Sequence, residues 1–333
     1  MAMFNNKLNF SFELYRKTSE DLLFNVEVPS FTGIPGRVAQ NVGSFESRGF
    51  DAQVGYNNNW GDFTLGLNLT ISSNESIAAD LAPGNERIIA QNRPEFGGGI
   101  KITELCQPVG LFYGYKTLGI FQNQTDINSH STANGTIIQP NAQPGDLIFQ
   151  DLNGDGTIGF EDQQAIGNPY ADFFGGLTID MSYKKFDLSM QWYGTYGNEV
   201  YNFQNIFLYS GGQDVNVAAG AINQVWSPSN PGARFPRPAV VDQNFNYLRS
   251  SDIFIEDGSY LRLRNIQLGY NLDIKGFNKF RVFVSGQNLL TFTNYTGFDP
   301  EVAAGGGVID GFGVYFARNP VARTFLLGLN LQL

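Results

Sequence analysis

One stretch of this 333-residue chain carries residue types at a spacing that could do chemistry. It reads Asp151-Leu152-Asn153-Gly154-Asp155-Gly156-Thr157-Ile158-Gly159-Phe160-Glu161-Asp162. Oxygen-bearing side chains stand at its first, third and fifth places, a glycine at the sixth and an acid at the twelfth. A calcium loop presents its ligands in this order, because a hard cation needs six or more oxygens and one short turn can supply most of them. The expected ligands for Ca2+ are Asp151, Asn153, Asp155, the Thr157 carbonyl and Asp162. Two departures point to a weaker site: the twelfth place holds Asp in place of the longer Glu, and Gly159 at the ninth could act only through water. No helix pair is evident around the segment. Asp, Asn and Gly also build metal-free turns, and the sequence leaves both readings open. In either reading the segment fixes a loop and does not catalyse.

Other catalytic constellations find little to use. A Ser-His-Asp or Cys-His catalyst would need the single histidine, His130, which sits in the polar run 128–132. One cysteine allows neither a disulfide framework nor a Cys-built zinc site. Asp126, Asp146, Asp242, Asp252, Glu256, Asp257, Asp299 and Glu301 are spread through polar segments. Paired carboxylates could hydrolyse glycosides, but nothing sets two of these apart from solvated loop charges. A formal net charge of −10 with no basic run excludes nucleic acid as the main partner. No catalytic residue is expected.

The elements that must position these residues are strands. Phe63, Leu65, Leu67, Leu69 and Ile71 alternate with Thr64, Gly66, Asn68 and Thr70, the period-two mark of a strand with one apolar face. The same alternation runs from Phe173 to Tyr183, from Leu188 to Tyr196 and from Phe325 to Leu333. Expected strands are 5–17, 46–57, 61–72, 94–105, 109–121, 171–184, 186–198, 259–272, 279–292 and 322–333. Residues 21–28 could prolong the first. The strand 259–272 changes phase near Asn265, which a bulge explains. Residues 215–226 form the one modest helix candidate.

The connections alternate between short and long. Those near 57–61, 106–108, 184–185 and 273–278 are tight. Those at 18–45, 73–93, 122–170, 199–258 and 293–321 are long and rich in Gly, Pro, Asn, Ser and Asp. Compact soluble domains rarely carry several such loops, whereas an outer-membrane barrel does so by construction. Strand lengths suit a tilted crossing of the hydrocarbon layer. Outward faces read apolar and inward faces read Ser, Thr, Asn, Gly, Gln and Asp. Aromatics such as Tyr56, Trp60, Tyr183, Phe186, Phe277, Phe280, Phe292 and Tyr295 cluster near strand ends, where interfacial girdles sit. Ten strands put both chain ends on the short-turn side. Charged residues at 16% and 39 glycines suit such a wall. The fold class is therefore all-β, an antiparallel transmembrane β-barrel wall of about ten strands with short periplasmic turns and long extracellular loops. The alternative is a soluble all-β carbohydrate-binding module whose apolar faces interlock between two sheets.

Five ordered blocks add a resemblance. They are Pro108-Val109-Gly110-Leu111-Phe112-Tyr113-Gly114-Tyr115-Lys116-Thr117-Leu118-Gly119-Ile120-Phe121-Gln122; Pro144-Gly145-Asp146-Leu147-Ile148-Phe149-Gln150 running into 151–156, with Ile166-Gly167-Asn168-Pro169-Tyr170; Phe254-Ile255-Glu256-Asp257-Gly258-Ser259-Tyr260-Leu261-Arg262-Leu263-Arg264-Asn265; Ser285-Gly286-Gln287-Asn288-Leu289-Leu290-Thr291-Phe292, with Gly297-Phe298-Asp299-Pro300-Glu301; and Pro320-Val321-Ala322-Arg323-Thr324-Phe325. Together they resemble the C-terminal part of a SusC/RagA-type TonB-linked outer-membrane receptor of Bacteroidetes, over residue 100 to the end and more loosely before it.

The resemblance implies the last ten strands of a 22-stranded barrel, in a receptor that imports oligosaccharides or peptides. It implies TonB as the energy source, acting through a plug, and a SusD-like surface lipoprotein as lid. Residues 1–333 are then one region of barrel, with plug domain and signal peptide absent from the chain. The blocks at 254–265 and 285–292 are expected to serve strand pairing, girdle packing and plug contact. Loop 199–258 is where substrate or lid contacts are expected.

Overall fold

The computed structural model describes residues 2–27, 37–41, 43–81, 86–93, 98–212, 216–301, 313–315 and 319–332. Its largest element is a nine-stranded sheet. In order across the sheet the strands are Ala2–Met3, Leu8–Ser19, Ser44–Trp60, Phe63–Asp80, Phe173–Tyr183, Phe186–Tyr196, Tyr260–Leu272, Lys279–Thr293 and Thr324–Gln332. All neighbours are antiparallel, and sheet order follows chain order. The turns 61–62, 184–185 and 273–278 lie at one end; the connections 20–43, 81–172, 197–259 and 294–323 leave from the other. Leu8 pairs with Tyr56 and Gln332 with Lys279, so the first long strand starts, and the last one ends, on the short-turn side.

Register carries the alternation across the whole wall. Leu8, Tyr56, Leu67, Ile179, Met190, Ile266, Gly286 and Phe325 form one cross-strand row. The next row reads Asn9, Gly55, Asn68, Thr178, Gln191, Asn265, Gln287 and Thr324. Side chains one residue apart point to opposite faces, so one face is apolar and the other amide- and hydroxyl-rich. The expected bulge is present: Gln191 pairs with Asn265 but Trp192 with Leu263, leaving Arg264 as the extra residue. That extra residue puts Arg262 and Arg264 both on the polar side while Leu263 and Asn265 keep their rows.

Among the described residues none packs over the apolar face. Leu69 is 37% exposed, Leu268 47%, Leu327 77% and Leu329 62%. Leu65, Leu67 and Ile179 are half-buried within the same face. A sandwich would bury these side chains between two sheets, so the soluble-module alternative finds no support.

The long connections fold together at their end of the wall. Gln163–Gly167, Leu111–Tyr115, Gly98–Glu104 and Arg87–Arg93 form a four-stranded sheet in that order. Glu199–Asn202 lies between Ile255–Asp257 and Val314–Tyr315, and Thr117–Ile120 pairs with Leu147–Phe149. One core joins three connections through Ile100, Phe112, Tyr201, Phe203, Ile206, Phe235, Tyr247, Phe254 and Val314.

Two expected wall strands are corrected here. Segments 94–105 and 109–121 do not extend the main sheet; their described parts belong to this loop body. The reason is burial on both faces. Residues 99–103 and 112–115 are buried without alternation, whereas a wall strand must leave one face to the surroundings. Residues 23–27 do continue the first strand after an interruption: Leu23–Glu27 pairs with Arg37–Asn41 in the register in which Ser19 pairs with Phe45, and the Leu22 N–H donates to the Gly43 carbonyl across the gap at 3.3 Å. The helix candidate 215–226 yields only the 3-10 turn Ala221–Asn223 among its described residues. Among the described residues the α-helices are Gln124–Ser129 and Gln204–Ser210. The first is capped by Asn123, whose side chain accepts from the Asp126 N–H.

Candidate functional site

Loop 151–162 folds as a closed net of its own hydrogen bonds. Asp151 accepts from the N–H groups of Gly154 (2.7 Å) and Gly156 (2.8 Å). Asn153 Oδ1 accepts from the Asp155 N–H at 2.9 Å, and the Asn153 amide donates to Asp155 Oδ2 at 2.9 Å. Asp155 Oδ1 accepts from both the N–H and hydroxyl of Thr157, each at 2.8 Å. These bonds from Asn153 and Thr157 hold the Asp155 carboxyl below its usual range. Asp162 is fully buried and accepts from Leu152 N–H (2.8 Å) and Gly159 N–H (2.7 Å). Gly154 and Gly156 adopt φ of +75° and +89°, which lets the chain double back.

The five expected ligands lie on one loop, and the side-chain oxygens of Asp151, Asn153, Asp155 and Asp162 accept from N–H and hydroxyl groups of the loop itself. Among the described residues no three His, Cys, Asp or Glu side chains group as a metal centre needs. A cation already latches the loop from behind: the Arg249 Nη2 donates to the Ile158 carbonyl at 3.1 Å. Its guanidinium rests 5.2 Å from the Tyr115 ring, 5.0 Å from Phe149 and 5.4 Å from Phe245.

Of the scattered carboxylates, Asp146, Asp252 and Glu256 staple one connection to another, and the rest bond locally or to the wall. Asp146, fully buried, accepts from Arg237 Nε at 2.7 Å and from the Asn246 amide at 3.0 Å, tying 146 to 237–246. Asp242 accepts from the same Asn246 amide and from the Tyr247 N–H. Asp252 accepts from Thr117 and pairs with Lys116 at 2.6 Å. Glu256 gathers Asn202, Asn205, Thr296 and Arg234. Asp299 and Glu301 converge, but on Arg262: at 2.5 and 3.1 Å, with Arg264 adding a 2.6 Å contact to Glu301. Asp126 accepts from the Gln122 N–H beside the short helix. His130 has a buried Nε2 without a hydrogen-bond partner among the described residues and an edge contact to Phe121.

The blocks 254–265 and 285–292 carry pairing and stapling: Tyr260–Leu272 pairs with Lys279–Thr293, and the Asn288 amide donates to the Ala322 carbonyl at 3.2 Å. Sequence reasoning missed one residue with no pattern to reveal it. Lys101 is fully buried in the strand Gly98–Glu104. Its ammonium donates to the Gly110 carbonyl at 2.8 Å and lies 4.2 Å from the centre of the Phe112 ring. Burial pulls its pKa down to about 7.

What remains as a functional surface is the polar face of the wall and the loop body above it. Toward the short-turn end the polar face holds a concavity of about 530 Å³ lined by Asn9, Ser11, Gln53, Asn57, Asn68 and Asp180. Gln53 donates to Asn68 across it at 2.8 Å. Amides and a carboxylate of this kind exchange hydrogen bonds with water or with a passing polar solute.

Comparison with known proteins agrees with this architecture. No family model matches the chain. TonB-dependent receptor P3 of Formosa agariphila is 33% identical over 100% of this chain and 33% of its own length. TonB-dependent receptor SusC of Bacteroides thetaiotaomicron is 30% identical over 98% of this chain and 30% of its own length. Among solved structures, the RagAB peptide importer in its open-open state superposes with a TM-score of 0.76 at 22% identity, covering 100% of this chain and 33% of that one. The chain spans about a third of the length of the curated relatives it matches.

Proposed function

Along its whole length this chain is a relative of TonB-dependent receptors of the SusC/RagA type, and on that footing we propose that it builds part of the wall and the outer loops of a nutrient importer in the outer membrane. The observation that carries the reading is the wall itself: one face apolar and uncovered, the other polar, with every long connection at one end. Lipid satisfies no backbone groups, so a sheet in it must close. The outer edge of Leu8–Ser19 beyond its short pairing with Ala2–Met3, and that of Thr324–Gln332, then pair with further strands of the same receptor. The role is transport and not catalysis.

The cargo is an oligosaccharide or a peptide, with TonB supplying energy through a plug elsewhere in the receptor. A SusD-like lipoprotein sits over the loop end. Val217, Ile222, Val240 and Val241 stand exposed on the connection 197–259 and suit such a lid. The test is growth on, and binding of, candidate oligosaccharides and peptides by the intact receptor and by one whose 197–259 connection is shortened. Loss of both uptake and lipoprotein co-purification is expected; unchanged uptake and co-purification would remove the lid assignment.

Calcium at loop 151–162 is a second proposal. The spacing of Asp151, Asn153 and Asp155 supports it, while the closed hydrogen-bond net and the nearby Arg249 limit its affinity. Titration of the receptor with a chelator control is expected to show millimolar binding that protects the loop from protease. No binding at millimolar calcium disposes of it.

A further inference from the structure

The polar face of the wall is not evenly clothed. Asn57, Gly66 and Asp180 form one cross-strand row, and Asn9, Gly55 and Asn68 form the next. In each row a glycine stands between two polar side chains. Neighbouring strands lie about 4.8 Å apart, so the side chains flanking each glycine are about 10 Å apart. The gap at Gly55 is open: a Cβ there would meet only side-chain atoms of Asn9 and Asn68, at 3.7 to 4.0 Å. At Gly66 the Asn57 amide oxygen leans in, 2.9 Å from where a Cβ would stand. The two gaps floor the hollow of about 530 Å³, which Ser11 and Gln53 bound on the loop side.

The polar groups of this hollow are spare. Among the described residues its one side-chain hydrogen bond joins Gln53 to Asn68. The Asn9, Asn57 and Asn68 amides and the Ser11 hydroxyl remain as donors, and the Asp180 carboxylate and the Gln53 amide oxygen remain as acceptors. A run of sugar hydroxyls suits such a mixture, because each hydroxyl both gives and takes a hydrogen bond. Phe10 and Leu67 also line the hollow, but at apolar-face positions of their strands. The polar side of the lining thus reads amide, hydroxyl, carboxylate and glycine, with no seat for the apolar side chains of a peptide.

Charge narrows the class further. The lining holds no Lys or Arg beside the exposed Asp180. One row beyond Ser11 and Gln53, Glu13 stands directly opposite Asp51, whose hydrogen bond comes from the neutral Ser72 hydroxyl. Strands Leu8–Ser19, Ser44–Trp60, Phe63–Asp80 and Phe173–Tyr183 carry no basic residue in these rows. Lys7, whose carbonyl accepts from the Asn57 N–H, stands at the far end of the first row, three strand spacings or about 14 Å from Asp180. An acidic cargo group therefore meets like charge, which selects against it.

We propose that the hollow is a subsite for a neutral oligosaccharide, with one ring seated over Gly55 and Gly66 and its hydroxyls shared among Asn9, Asn57, Asn68 and Asp180. Glu13, Asp51 and Asp180 turn away uronate-bearing and sulfated chains. Both rows lie close to the turn 61–62, so cargo meets this subsite on the exit side of the wall. The proposal rests on the reading that the polar face lines an import path.

Isothermal titration tests it on the intact receptor in detergent. The neutral probes are maltohexaose, cellohexaose, xylohexaose and mannohexaose; hexagalacturonate is the acidic probe and a tryptic casein digest the peptide one. At least one neutral hexasaccharide is expected to bind about tenfold tighter than hexagalacturonate. Gly55→Leu, which fills the hollow where a side chain has room, is expected to weaken that probe by roughly tenfold or more. Asn68→Leu repeats the test should Gly55→Leu not reach the membrane. Asp51→Asn combined with Asp180→Asn is expected to bring hexagalacturonate to within about threefold of the neutral probe. Equal binding by wild type and the filled variants overturns the site, as does hexagalacturonate bound as tightly as the neutral probes, or no neutral probe bound. A plug segment cross-linked to a Gln53→Cys receptor in the absence of cargo also overturns it, since the plug then fills the hollow. No uptake of any probe class by cells carrying the intact receptor would instead overturn the importer reading on which the site depends.

Discussion

At the scale of single residues, the loop body is held by buried polar groups whose removal has defined costs. Lys101 titrates near pH 7 in the fold because burial disfavours its charge, against an ordinary value of 10.5. Between those two pH values the unfolded chain binds more protons than the folded one, so stability rises with pH. A tenfold change in proton affinity between the two states corresponds to about 1.4 kcal/mol. From pH 7 to pH 9 the loop body should therefore gain roughly 2 kcal/mol relative to a Lys101→Met variant. Hydrogen exchange of residues 98–115 in both proteins measures the difference; an equal pH response shows that Lys101 keeps its charge. Asp146 makes the opposite case. Removing its cation with Arg237→Ala leaves a buried carboxylate short of a partner, at a cost of about 3–5 kcal/mol. Limited proteolysis should then open 122–150 and 237–247 first, with the wall intact. Such residues are hard to read in a sequence. Asp146 and Glu256 look like any loop acids until the fold brings Arg237, Asn202 and Thr296 to them. The Asp151–Asp162 spacing is legible because all its partners lie within twelve places.

At the scale of elements, wall strands were legible as wall, while the strands read at 94–105 and 109–121 are strands that belong to the loop body. Phe63–Asp80 and Phe173–Tyr183 alternate because one face meets apolar surroundings and the other polar ones. Gly98–Glu104 is buried on both faces, so its Ile-Lys-Ile-Thr alternation mimics a wall strand without being one. The bulge at Arg264 could be read because a slip of one residue changes which side chains share a face. Facing also sets the cost of substitution. Ile179→Arg, in the middle of its strand on the apolar face, should cost about 2–4 kcal/mol. Thr178→Arg, one residue away on the polar face, should cost far less. Urea unfolding of the refolded barrel, compared between the two variants, checks this; similar losses would mean the faces are misassigned.

At the scale of the whole molecule, the chain is an arc of wall with a packed loop body at one end. Its fold matches a third of a solved importer, and its family relation spans its full length. The arc explains the composition: few charges, many glycines, and aromatics at strand ends. It also explains why the loops could be long without being structureless, since three of the four share one core. The central claim is that the two faces of the sheet meet different media. Its most direct test is cysteine scanning through 175–182 in a receptor with Cys106→Ser. Each site is probed with a water-soluble thiol reagent, and its attached fluorophore with a lipid-borne quencher. The account predicts a strict period of two: Thr178, Asp180 and Ser182 react from water, while Leu177, Ile179 and Met181 are quenched from lipid. Uniform reaction along the strand, or alternation in the opposite sense, would contradict it.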